Sequence, residues 1–164
     1  EYKRACHEGC IRIPMVLCGP GYRGGQVVDE LVSLIDLPTT ILDEAGIAKP
    51  ADWQGNPLRG LVEGTAADWP EEVFLQISES QVGRAIRTER WKYSVTAPDK
   101  KGGSDPDSEV YVEDFLYDLW HDPHEKYNLV RHPLYAEVRA ELAARLKRRM
   151  AEANEETPTI LPAP

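Results

Sequence analysis

Val73-Phe74-Leu75-Gln76-Ile77, Trp91-Lys92-Tyr93-Ser94-Val95 and Phe115-Leu116-Tyr117-Asp118-Leu119 share one pattern, in which every second residue is large and apolar. A period of two places those side chains on one face of an extended strand. Arg84 to Arg87 supplies a fourth segment, and Thr88-Glu89, just before Trp91, reads as a tight turn. Lys100-Lys101-Gly102-Gly103-Ser104-Asp105-Pro106 is a polar loop between two of the strands. The spacing predicts about four short antiparallel strands.

The period then changes. After Pro133, the residues Leu134, Val138, Leu142, Leu146 and Met150 recur every four positions, which predicts a helix over 133–152 with one apolar stripe. A half-apolar sheet and a striped helix each need a cover, and each can cover the other. Residues 154–164 hold Pro158, Pro162 and Pro164 and no stripe, so a disordered tail is expected there.

Ahead of the sheet the pattern is different. Ile11-Arg12-Ile13-Pro14-Met15-Val16-Leu17 is short and nearly continuous in apolar character, as a strand buried on both faces would be. It stops at Gly19-Pro20-Gly21, and Gly24-Gly25 extends the loop. Leu31-Val32-Ser33-Leu34-Ile35 is a second apolar run. A helix over 37–45 follows, with Asp36 at the N-cap position, Pro38 in the first turn and Gly46 after the last periodic residue. Its stripe of Leu37, Ile41, Leu42 and Ala45 needs a cover that residues 1–60 scarcely provide. Residues 49–70 lose periodicity and mark the expected subdomain boundary. The whole reads as a βα piece followed by a small α+β unit.

Composition narrows the function. The chain has 164 residues, 41% of them hydrophobic, which fits a folded protein and excludes disorder throughout. No apolar run approaches the roughly 18 residues of a membrane span, and no signal-peptide pattern opens the chain. Lys plus Arg number 19 against 28 Asp plus Glu, a net charge of −9, so the footprint of a general nucleic-acid binder is absent. Three cysteines cannot all pair within one chain, which rules out a disulfide scaffold. The first residue is Glu1 rather than Met, within a charged stretch, and the expectation is a piece of something longer.

Few residue groupings point to chemistry by themselves. Cys6, His7, Cys10 and Cys18 form the one local Cys/His cluster, but no two of the cysteines have the two-residue gap that wraps a tetrahedral zinc ion, so free thiols are expected. His121, His124 and His132 flank Asp122-Pro123 and read as surface histidines of a turn rather than metal ligands. Lys3-Arg4 would by itself be a solvated pair of charges. Arg84, Arg87, Arg90 and Lys92 surround the proposed hairpin, and alternation puts Arg90 and Lys92 opposite Trp91 and Tyr93. That patch is either a solvated sheet face, the favoured reading, or a surface for an acidic substrate.

Together the motifs resemble the sulfatase family of the alkaline phosphatase superfamily. Lys3-Arg4-Ala5-Cys6-His7-Glu8-Gly9-Cys10-Ile11-Arg12-Ile13-Pro14 and Gly19-Pro20-Gly21 are similar to a family segment: a lysine, an acidic residue with Gly, an apolar residue, Arg-x-Pro, then a Gly-Pro-Gly turn. Leu31 to Leu42 with Ala45-Gly46-Ile47, Gln54-Gly55 to Leu58, Arg84 with Arg87-Thr88, and Trp91-Lys92-Tyr93 resemble later segments in order. So do Leu116-Tyr117-Asp118-Leu119, Asp122-Pro123, Glu125 and Asn128-Leu129. The likeness runs from about residue 1 to 150.

The resemblance implies an α/β sulfatase-like fold, with residues 1–60 the carboxy-terminal piece of a large catalytic domain and residues 61–153 a small antiparallel-sheet and helix subdomain. It implies hydrolysis of sulfate esters by a formylglycine nucleophile and a calcium ion, the substrate being a sulfated small molecule or carbohydrate. Lys3 matches the family lysine that contacts the sulfate group, where a fixed ammonium would neutralise charge on the sulfuryl and leaving oxygens. His7 and Arg84 are the candidate substrate contacts, with 79–84 beside them. Family members are exported, which implies a periplasmic or extracellular setting. Cys18-Gly19-Pro20-Gly21-Tyr22 has Tyr where the formylglycine motif needs Arg, and no other Cys or Ser fits that motif. No metal ligand is assigned in this chain, so it is expected to be inactive alone and to expose sheet edges through which it could self-associate. The alternatives are a phosphodiesterase or phosphonate monoester hydrolase of the same superfamily, and a non-catalytic binding module.

Overall fold

The computed structural model describes residues 4–164. By contacts the chain forms two compact units, one of residues 4–13 with Phe74–Pro164 and the other of Pro14–Val73.

The first unit is built on a five-stranded sheet in the order β1-β2-β3-β4-β5. The strands are β1 (Glu72–Ile77), β2 (Gly83–Thr88), β3 (Trp91–Thr96), β4 (Val110–Asp118) and β5 (Thr159–Leu161). The two central pairings, β2 with β3 and β3 with β4, are antiparallel. At the β2–β3 turn the Thr88 hydroxyl accepts from the Trp91 N–H at 2.9 Å, closing the loop that Thr88-Glu89 suggested. The last strand corrects the sequence reading. Residues 154–164 were expected to be disordered, yet β5 pairs in parallel with β4 from Val110–Thr159 to Val112–Leu161. A three-residue edge strand has too few residues to show a period, and its flanking prolines hide it.

Register decides what each face of this sheet carries. Ile86, Tyr93 and Leu116 lie opposite one another across β2, β3 and β4. They are fully buried with Leu142, Leu146 and Met150 of the helix α4 (Ala136–Glu152), whose stripe covers this face. A 3-10 turn, Pro133–Tyr135, leads into the helix, and Leu134 is 83% exposed there because the turn carries it off the stripe. The rows Ala85–Ser94–Phe115 and Arg87–Lys92–Tyr117 point the other way. On that second face Ala85, Phe115, Tyr117 and Leu119 pack around Cys6.

A bulge interrupts β4. Ser94 lies opposite Phe115 but Val95 lies opposite Glu113, leaving Asp114 with no facing residue. The extra residue flips the phase of the strand. Glu113 consequently reaches the helix side, accepting from the Tyr93 hydroxyl at 3.2 Å and pairing with Arg139 of α4 at 3.4 Å. Asn128 replaces the lost ladder: its Oδ1 accepts from Leu116 N at 3.0 Å and its Nδ2 donates to Asp114 O at 3.0 Å.

Residues 11–17 overturn a second expectation. No strand forms there: the helix α1 (Glu8–Ile11) ends in extended chain, with Ile13 53% and Val16 92% exposed. An apolar run becomes a buried strand only where neighbours pair with it, and among the described residues none does.

In the second unit, α2 (Asp36–Glu44) closes as expected on Gly46, whose φ of +68° lets Ile47 N reach Leu42 O at 2.9 Å. Its buried residues are the polar Asp36, Thr39 and Thr40, while Ile41 of the predicted stripe is 67% exposed. Ile35 holds the N-cap position, and Asp36 instead accepts from Ser33 N at 2.7 Å and Asn56 N at 2.8 Å. Thr40 accepts from Leu58 N at 3.0 Å, so this polar face orders residues 55–58 ahead of α3 (Arg59–Val62). Gly55 sits so close that a β-carbon would meet the Ile35 carbonyl oxygen at 2.1 Å. No described helix is long and apolar enough to cross a membrane.

Candidate functional site

The second face of the sheet carries an ionic cluster that sequence reasoning missed. Alternation places Lys92 opposite Tyr93, away from α4, and the side chain was expected to be solvated or open to an acidic ligand. It is completely buried. Its ammonium pairs with Glu8 Oε1 at 3.1 Å and with Glu125 Oε1. Arg87, its neighbour in the row, reaches Glu8 Oε2 at 3.5 Å. Two cations thus meet two carboxylates, so the cluster is neutral and no positive patch faces solvent there.

Each partner is delivered by a different local device. Glu8 opens α1, and its N–H donates to Glu125 Oε2 at 2.8 Å. Glu125 sits in the turn after β4 with φ of +54°, a backbone region that disfavours side chains other than glycine. Asp122, which starts that turn, accepts from Tyr127 N at 2.8 Å. Burial works to raise the Glu8 carboxyl, but the Lys92 ammonium and the Arg87 guanidinium outweigh it and hold Glu8 below the usual carboxylate range.

His7 lies at the rim. It is the N-cap residue of α1, its ring stacks on Phe115 with centroids 4.9 Å apart, and its Nδ1 is 3.5 Å from Glu125 Oε2. The side chain keeps 37% of its surface exposed, so the ring is held on one flank and open on the other. Asp114, placed by the bulge, is raised above the usual carboxylate range by burial, with the His7 charge acting the other way. Lys3 lies outside the described residues. The next residue is anchored, since Arg4 O accepts from the Ser80 hydroxyl at 3.0 Å and the Arg4 guanidinium meets Glu79 at 3.4 Å.

Arg84 is elsewhere, and its contacts do not suit a substrate ligand. Its side chain is 3% exposed, and Nε bonds both carboxylate oxygens of Glu155 at 2.8 and 2.9 Å. Nη1 donates to Gly83 O at 2.8 Å and Nη2 to Pro106 O at 2.9 Å. This guanidinium clamps the C-terminal segment and the 97–109 connection to β2. Arg90 is committed as well, to Asp118 at 2.7 Å.

The thiols are free, with Cys6 buried and Cys18 exposed. Burial pushes the Cys6 thiol up to about 12, against the pull of Lys92, which favours the protonated form. Among the described residues no three His, Cys, Asp or Glu side chains converge as metal ligands. His121 is 75% exposed and bonded to Asp118 at 2.9 Å, and His132 accepts from Leu134 N at 3.3 Å, so both serve turns.

Comparison with known proteins identifies the family. The family described as N-sulphoglucosamine sulphohydrolase, C-terminal, matches residues 2–152. Arylsulfatase K of Mus musculus is 30% identical over 138 residues, covering 78% of this chain and 23% of that protein. The solved structure of a 2-O GAG sulfatase superposes with a TM-score of 0.63 at 28% identity, over 83% of this chain and 29% of the other. Phosphonate monoester hydrolase of Agrobacterium radiobacter superposes with a TM-score of 0.58 at 25% identity, over 77% of this chain and 26% of the other. The chain spans about a quarter of the length of the curated relatives it matches. The family match over nearly the whole chain, the ordered motifs and the sheet with its single covering helix lead to one conclusion: this chain belongs to the sulfatases, as their N-sulphoglucosamine sulphohydrolase C-terminal family.

Proposed function

We propose that this chain is the carboxy-terminal part of a sulfatase that hydrolyses sulfate esters of carbohydrates, with Lys3 contacting the sulfate group and His7 the sugar. The observation that carries the reading is the anchoring of residues 4–11, the stretch that follows Lys3, by Glu8, Lys92 and Glu125. A lysine that stabilises charge as a sulfur–oxygen bond breaks must be held in place before the reaction, because reorganisation would consume the electrostatic gain. The half-open ring of His7, stacked on Phe115, offers a hydrogen bond to a hydroxyl or sulfate oxygen. The 2-O GAG sulfatase among the structural neighbours supports a sulfated sugar as substrate.

The resemblance implies calcium and a formylglycine in the whole enzyme. The described residues do not fit a metal site, and Tyr22 breaks the one near match to the nucleophile motif. The 164-residue chain alone is expected to be inactive. A periplasmic or extracellular setting goes with this reading.

A turnover assay tests it. With calcium present, aryl sulfate and a sulfated disaccharide should give no product with this chain above a no-protein control. A longer enzyme carrying it should turn them over, and Lys3→Ala should lower kcat by about 10²- to 10³-fold. Turnover by the short chain, or an unchanged kcat in Lys3→Ala, refutes the assignment. Phosphonate monoester hydrolysis is the second reading, favoured by the likeness to the Agrobacterium enzyme, and a larger kcat/KM on phosphonate esters than on sulfate esters would select it.

A further inference from the structure

The buried cluster costs something that an apolar core would not. Lys92 has no solvent exposure, and the side chains of Glu8 and Glu125 are only 14% and 7% exposed. Replacing such a group by well-packed apolar residues is often neutral or stabilising, so a buried ion pair is weak evidence for stability. What charge supplies is direction. An apolar contact tolerates sliding, whereas an ammonium between two carboxylates accepts one arrangement.

The arrangement joins three pieces far apart in sequence. Glu8 comes from the segment after Lys3, Lys92 from the middle strand and Glu125 from the turn after β4. Glu125 uses both oxygens, one on the Lys92 ammonium and one on the Glu8 N–H. It also stands 3.5 Å from His7 Nδ1, so the same carboxylate borders the ring proposed to meet substrate. The cluster does not contribute to the α4 core, which lies on the opposite face of the sheet.

The geometry points to Lys92, Glu8 and Glu125 as positioning residues, a latch that fixes segment 4–11, and with it the ring of His7, in one place on the sheet. Its meaning for catalysis rests on the sulfate-ester reading of Lys3 and His7. The fixing of the segment does not.

Hydrogen exchange on the 164-residue chain tests the latch without any activity. In Glu8→Gln, and in the double variant Lys92→Met/Glu125→Met, amides of 6–11 should exchange at least tenfold faster, while those of β2, β3 and α4 stay within twofold. Unchanged protection of 6–11 overturns the proposal. So does equal acceleration across the sheet, which would make the cluster a general support of the fold. Should the double variant not fold, Glu8→Gln, which keeps the Lys92–Glu125 pair, decides alone. In a longer active enzyme, Glu8→Gln should lower kcat at least fivefold with KM within twofold, and an unchanged kcat overturns the catalytic role. Loss of the latch with no sulfatase activity in the parent would refute the functional reading and leave the latch standing.

Discussion

Arg84→Met separates a structural guanidinium from a ligand-binding one. Arg84 is 3% exposed and Glu155 10%, and the pair is joined by two bonds of 2.8 and 2.9 Å. Methionine fills much of the same volume but removes every donor. The Glu155 carboxylate is left without its cation, and the carbonyls of Gly83 and Pro106 lose their bonds at 2.8 and 2.9 Å. Breaking one partner of a buried pair costs about 3–5 kcal/mol. For a chain of this size that lowers Tm by about 6–20 °C, at roughly 2–4 °C per kcal/mol. Urea unfolding followed by circular dichroism reads the loss as a lower midpoint at constant m. The double variant Arg84→Met/Glu155→Met should regain part of it, because the stranded charge is gone. A loss below about 1 kcal/mol at unchanged m would refute the argument, since a substrate contact can be removed without unfolding the protein.

Two further outcomes follow from burial and charge. Leu146→Ala, fully buried under the sheet, should cost about 3 kcal/mol, whereas Leu134→Ala, 83% exposed on the same sequence stripe, should change stability by less than about 0.5 kcal/mol; equal losses in urea melts would place the helix face wrongly. Glu8 is held below its ordinary value of 4.5 in the folded chain, so its stabilising effect is complete above that pH and disappears as pH falls through the lower, folded value. Urea midpoints measured from pH 6 to 3 should fall less steeply in Glu8→Gln than in the parent, and identical slopes would remove the cluster's charge from the account.

Four strands and the long helix were legible because their apolar residues repeat at the periods of the elements they form, and tertiary contacts then agree with local pattern. The run at 11–17 misled because apolar character marks what must be covered and says nothing of whether a neighbour is there to pair. β5 was illegible for the opposite reason: its three residues form a strand only because the exposed edge of β4 offers hydrogen bonds. The polar face of α2 was unreadable too, since Asp36 and Thr40 are buried by bonding to backbone N–H groups some twenty residues away.

The candidate site divides the same way. Motif order alone identified Lys3, Glu8, Trp91-Lys92-Tyr93, Asp122-Pro123 and Glu125 as parts of one family pattern. Nothing in that order says that Glu8, Lys92 and Glu125 touch, because the contact joins positions 84 residues apart in one case. Arg84 illustrates the limit from the other side, a cation whose partner Glu155 lies 71 residues away and turns a candidate ligand into a clamp.

The sequence by itself determined the elements and the family, because periodicity and motif order are properties of neighbouring residues and their succession. Only the tertiary structure decided which charges are spent within the protein and which face outward, because an ion pair depends on distance in space, and chain folding sets that distance without regard to separation along the sequence.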